Sequence, residues 1–176
     1  PVLWGDLHVR LGSSKALEQA LCAWLSKRRP GLQRLHIEWA EPSAVPGGLA
    51  VLTGSALTEL ELTRATLLAK SMQLCGLPKL PGMPLPASQP QVALPRLPAV
   101  QKLVLRECDR VSKAVARSLS FKFPALVALE LIGSSSAGGC WSYNPRGVAC
   151  YGLGHLKALT RLCLVDCDLK RVPEHL

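Results

Sequence analysis

An α/β repeat architecture is predicted for this chain of 176 residues, on three observations. A nine-residue frame, written aliphatic-x-x-Leu-x-Leu-x-x-small, fits the sequence six times. Segments with helical periodicity lie between copies of that frame. Finally, 48% of the residues are hydrophobic and only 5% aromatic, with a mean hydropathy of +0.21, the composition of a chain with a buried core rather than a disordered one. Fixed spacing with freely drifting contents marks repeated structure before it marks chemistry.

The copies follow in order along the chain. Trp4, Leu7 and Val9 with Gly12 make the first and loosest. SSKALEQALCAWLSKRRPG, residues 13–31, then reads as a helix: Ser14 is placed to cap it, Leu17, Leu21, Cys22 and Leu25 recur at helical spacing, and Pro30 ends it. Leu32, Leu35 and Ile37 with Ala40 form the second copy, and Leu57, Leu60 and Leu62 with Ala65 the third. No helix is predicted between Pro42 and Ser55. Residues 77–98 hold seven of the fourteen prolines, which excludes a regular helix. They read as an insertion anchored by its leucines on the protein's own surface. The other reading is a polyproline docking peptide through Pro78, Pro81 and Pro84, and it lacks the basic residue at the usual spacing.

VQKLVLREC, residues 100–108, is the fourth copy. SKAVARSLSFKF, 112–123, is a second helix with Val115, Leu119 and Phe123 inward, stopped by Pro124. Leu126, Leu129 and Leu131 with Ser134 make the fifth copy, residues 133–154 a Gly-rich loop insertion, and LTRLCLVDC, 159–167, the sixth copy. Because alternate strand residues face opposite ways, Leu60 and Leu62 point into a core while Glu59, Glu61 and Thr63 point away from it.

The second aliphatic of each copy, Leu7, Leu35, Leu60, Leu103, Leu129 and Leu162, sets a register whose spacings are 28, 25, 43, 26 and 33 residues. Three of these lie in the range of about 20 to 29 residues of leucine-rich repeats, and the two longer ones contain the Pro-rich and Gly-rich insertions. The chain therefore resembles the leucine-rich repeat family over essentially its whole length. The resemblance implies a solenoid with a curved parallel sheet of about six short strands on the concave face, and helices and irregular loops on the convex face. The ninth position, often Asn in that family, holds Gly12, Ala40, Ala65, Cys108, Ser134 and Cys167 here. The two cysteines make it look more like the cysteine-containing repeats of F-box proteins, or the ribonuclease-inhibitor type, than the extracellular receptor type. Residues 1–176 read as a single domain. The strand-like start at Pro1 and the closing LKRVPEHL suggest a piece of a longer array, whose end repeats would need polar caps.

Several function classes find no footing in the sequence. It contains no P-loop, G-x-S-x-G or HExxH motif, so no catalytic residue, cofactor or metal is expected. The seven cysteines are odd in number, form no CxxC pair and have no His at ligand spacing. Structural thiols in a cytoplasmic or nuclear protein are the reading, with Cys140 and Cys150 the remaining candidate pair. His8 and His36 share a column of adjacent repeats and read as neighbouring surface residues rather than a metal site. No stretch is apolar enough to insert in a membrane. The net charge of +9 is scattered, with Lys27, Arg28 and Arg29 gathered where a helix end favours them. That argues against nucleic acid as a partner and leaves nonspecific polyanion binding on a basic convex face as a lesser alternative.

Another protein is the expected partner. The third frame position carries Asp6, Arg34, Glu59, Lys102, Ala128 and Arg161, a ladder of alternating charge over its first four members. The fifth carries His8, His36, Glu61, Val104, Glu130 and Cys163, and the seventh Arg10, Glu38, Thr63, Arg106, Ile132 and Val165. The outward face thus changes from charged to apolar along the array. Val104, Ile132, Cys163 and Val165, edged by Arg106, form the candidate contact patch. Trp141 and Tyr143, in the Gly-rich loop, either fold over that patch or extend it, and Trp39 is expected as an outlying anchor. The family resemblance implies a protein-protein interaction module, as the substrate-recognition arm of a ubiquitin ligase or, alternatively, the repeat region of an intracellular immune receptor or signalling scaffold.

Overall fold

The computed structural model describes residues 5–12, 14–67, 94–108, 113–133 and 153–166. Strands form at all six copies of the frame: β1 (Asp6–Leu11), β2 (Arg34–Ala44), β3 (Glu59–Thr66), β4 (Lys102–Arg106), β5 (Ala128–Ile132) and β6 (Arg161–Val165). They make one sheet in sequence order, and every neighbouring pair is parallel. Parallel neighbours cannot be joined by a tight hairpin and need a crossover. Helix α1 (Lys15–Arg28) provides one between β1 and β2, and α2 (Lys113–Lys122) another between β4 and β5.

Register follows the leucines. Leu7, Leu35, Leu60, Leu103, Leu129 and Leu162 are successive Cα partners across the whole sheet. A slip of one residue in any strand would turn its leucines out of the core, so the aliphatic frame itself specifies the pairing. Behind the sheet, the inward leucines join residues of both helices in one continuous core.

α1 buries Leu21 and Leu25, as its periodicity predicts. The Ser14 carbonyl accepts from the Leu17 and Glu18 amides, but the hydroxyl makes no capping bond. Leu17, expected inward, is 52% exposed, because the neighbouring Glu18 is the residue that turns to the sheet, accepting a hydrogen bond from the Trp39 indole at 3.3 Å. Pro30 sits in a single 3-10 turn, Arg29–Gly31, that closes the helix. A further 3-10 helix, Gly47–Leu52, occupies a stretch where none was expected and buries Leu49 and Leu52. It lies so close to α1 that a Cβ on Gly48 would stand 2.6 Å from the Cys22 sulfur. On α2 and just beyond it, Val115, Leu119 and Phe123 are buried as expected.

One left-handed position recurs, inside β3 and just after β4, β5 and β6. Arg64, Glu107 and Asp166 adopt left-handed backbone (φ 59°, 49° and 52°), as does Gly133 (φ 69°), and all four occupy the eighth frame position. The turn sends the ninth residue inward at Ala65 and Cys108, both buried. There the Cys108 thiol donates to the carbonyls of Leu62 (3.4 Å) and Arg106 (3.3 Å), so the side chain satisfies backbone at the end of its strand. β1 and β2 instead continue straight through the eighth position at Leu11 and Trp39. β2 then runs past Pro42 to Ala44 with a shift of register between Glu38 and Ser43.

Among the described residues Cys22, Cys108 and Cys163 are not in disulfides, and no helix is long and apolar enough to cross a membrane. Cys75, Cys140, Cys150 and Cys167 lie outside the described residues, as do most of the two insertions.

Candidate functional site

The face of the sheet turned away from the core carries three columns of side chains, and the pairing register reproduces the predicted columns residue for residue. Their charges neutralise one another. Arg34 lies 3.4 Å from Asp6 and 3.5 Å from Glu59. Lys102 lies 2.8 Å from Glu59 and 3.7 Å from Glu130, which also faces Arg161 at 3.8 Å. Each inner carboxylate is thus shared by two cations. Individually such exposed pairs contribute little, about 0 to 1 kcal/mol, but together, with Glu130 from the neighbouring column, they leave little unbalanced charge. The Lys102 ammonium is held above its usual range, chiefly by its hydrogen bond to Glu59.

The β1–β3 end is built around two imidazoles. His8 and His36 stack with ring centroids 4.0 Å apart and planes 3° from parallel. Nε2 of His8 stands 3.8 Å from Glu38, and Nε2 of His36 stands 3.8 Å from Glu61 and 3.1 Å from the Thr63 hydroxyl. Both carboxylates already have guanidinium partners. Arg64 (3.1 Å) and Arg10 (3.7 Å) hold Glu38, and Arg106 contacts Glu61 directly. Burial pushes the His36 ring below the ordinary imidazole range, and His8 and Arg106 push the same way against Glu61 and Glu38. Beside the rings lies a cavity of about 280 Å³ lined by Asp6, Arg34, Glu59 and Glu61 among others. No group of three or more His, Cys, Asp or Glu among the described residues is disposed to hold a metal ion.

The opposite end brings Ile132 and Val165 of the predicted patch together and corrects two of the expected contact residues. Ile132 and Val165 are Cα partners on β5 and β6, and Arg106 is the next partner of Ile132 in the same column. Cys163 pairs with Glu130 one column away. Val165 is 41% exposed, while Ile132 and Cys163 are half-buried. Val104, however, is only 1% exposed. It is flanked by Lys102 and Arg106 along its strand and by Glu61 and Glu130 across the ladder, and the stems of these ion-paired chains leave no room for a partner to reach it. Trp39 is likewise 1% exposed and is no anchor. Strand alternation from Leu35 and Ile37 puts it on the inward side, where its indole meets α1. Trp141 and Tyr143 lie outside the described residues.

Arg64 escaped sequence reasoning. Besides Glu38 and Glu107 it donates to the carbonyls of Trp39 (3.2 Å) and Ala40 (2.9 Å), so one side chain ties the β2 irregularity to two later strands. Nothing in an eighth-position Arg announces a left-handed residue. No protein-family model matches the chain, and no curated protein or solved structure matches it either.

Proposed function

We propose that the chain is a protein-binding module of leucine-rich-repeat type that docks a partner on the open face of its sheet, at the β4–β6 end. The adjacency of Ile132 and Val165 carries the reading: an aliphatic pair, partly open to solvent, on a face whose other columns are occupied by mutually satisfied charge. Apolar side chains gathered on an otherwise polar surface are the usual mark of a contact site. Arg106 borders them and can orient a polar group of the partner, while its pairing with Glu61 fixes its position. The interleaved acids and bases of the third column oppose polyanion binding on this face, and no reaction is assigned to it. Within the reading, the cysteines at the ninth frame position, Cys108 and Cys167, resemble those of F-box-type repeats and support the substrate-recognition arm of a ubiquitin ligase, with the repeat region of an intracellular immune receptor or signalling scaffold as the alternative.

Affinity capture from lysate tests it, with wild type beside an Ile132→Arg, Val165→Arg double variant whose circular dichroism and melting match wild type. A protein recovered by wild type and lost from the variant supports the site, and cullin machinery among the recovered proteins supports the ligase arm. Equal recovery by both removes the β4–β6 end as the binding face.

A further inference from the structure

The His8–His36 stack lies at the other end of the face from the apolar pair and has no part in the docking just described. Two parallel rings 4.0 Å apart suit two neutral imidazoles, or one neutral and one charged, since an imidazolium rests well against a neutral ring's π face. They do not suit two imidazolium ions. At that separation like charges repel by about 1 kcal/mol even in bulk water, and by about 4 kcal/mol at the effective dielectric of a protein surface.

The surroundings oppose the repulsion only in part, through Glu38 beside His8 and Glu61 beside His36. β1 contributes Asp6 and Arg10, β2 Arg34 and Glu38, β3 Glu59, Glu61, Thr63 and Arg64, and β4 Arg106. Four of these are guanidinium groups and four are carboxylates, so their formal charges balance without surplus negative charge. The two carboxylates nearest the rings, Glu38 and Glu61, are already engaged by Arg64 and Arg10 and by Arg106 respectively. A second proton on the pair would have to compete for those carboxylates. His36, the more enclosed ring, also contacts Thr63 at 3.1 Å, and a neutral ring can accept there where a charged ring can only donate.

We propose that His8 and His36 form a proton-operated element: stacked while the pair holds no more than one proton, and driven apart by the second, which changes the charge and shape of the β1–β3 end of the face on acidification. Histidine is the side chain suited to this task near physiological pH.

Imidazole resonances of the isotopically labelled 176-residue chain, followed from alkaline to acidic pH, test the proposal. In wild type we expect two separated steps, with nuclear Overhauser contacts between the rings lost in the acidic one. In His8→Asn, checked for folding by its backbone amide spectrum, the His36 midpoint should move upward. Inter-ring contacts that persist after both rings are charged would overturn the proposal. So would a His36 midpoint unmoved by His8→Asn. The wild-type titration decides the question by itself should the variant fail to fold.

Discussion

Arg64, in left-handed backbone with φ 59°, reaches across to Glu38 with an Nη2 to Oε1 distance of 3.1 Å while also donating to the Trp39 and Ala40 carbonyls. A non-glycine residue in that conformation is held there at a cost of roughly 1 kcal/mol or more, which its side-chain bonds must offset. Two substitutions separate the contributions. Arg64→Ala keeps the strained backbone and loses the bonds, so urea unfolding should show a loss of about 2 kcal/mol or more. Arg64→Gly loses the same bonds but relieves the strain, and should be less destabilised than the Ala variant. Equal loss in both would mean that the turn stores no strain.

Core and ladder positions on one strand should respond oppositely. Leu103 is fully buried, so Leu103→Asp would place an unpaired charge in the core at a cost of several kcal/mol against a total stability of roughly 5 to 15; the expected outcome is an unfolded chain by circular dichroism. Lys102 lies next to it in sequence but on the open face. Lys102→Ser leaves Glu59 with Arg34 and Glu130 with Arg161, and should change stability by about 1 kcal/mol or less. Similar melting of the two variants would place the register in error.

Val104 separates position from exposure. It faces the same way as Glu61 and Glu130, yet is buried. Val104→Ala should therefore destabilise by about 1 to 2 kcal/mol, as truncation of a core residue does. An exposed residue would give nearly zero. Trp39→Ala, which also strips Glu18 of its indole donor, should cost about 3 to 5 kcal/mol.

Stability should fall at both ends of the pH range. The folded state lowers the His36 value, so the unfolded chain binds the proton more readily. That contribution is complete above the unfolded value of about 6.5 and is lost as pH falls through the lowered one. For Lys102 the folded value is raised; its contribution is complete below the unfolded value of about 10.4 and is lost as pH rises through the folded one. Melting temperature against pH should show the acidic decline diminished in His36→Asn and the alkaline one diminished in Lys102→Ser.

Strand positions and register were legible because one period, aliphatic at every second residue within the frame, determines both. The same period held the answer for Trp39, two residues beyond Ile37 and four beyond Leu35, since the inward column simply runs one step further. Val104 was not readable in that way: alternation puts it on the open face correctly, and its burial comes from long charged neighbours folding over it, a matter of side-chain packing between strands. The 3-10 helix at Gly47–Leu52 is too short to show periodicity, and the left-handed conformation of Arg64, Glu107 and Asp166 goes against residue preference. The expected ladder, by contrast, required only the frame and the signs of four charges.

The recurrent left-handed turn also has a bearing on how such a chain tolerates change in length. Arg64 and Gly133 come shortly before the connections that hold the Pro-rich and Gly-rich insertions, yet Leu60 still pairs with Leu103, and Leu129 with Leu162. By recurring at one fixed frame position, late in β3 and just past β5, the left-handed residue insulates the pairing geometry from whatever length of polypeptide follows. Insertions and deletions can accumulate in those connections as neutral drift, while the strands remain free to diverge only at their outward positions.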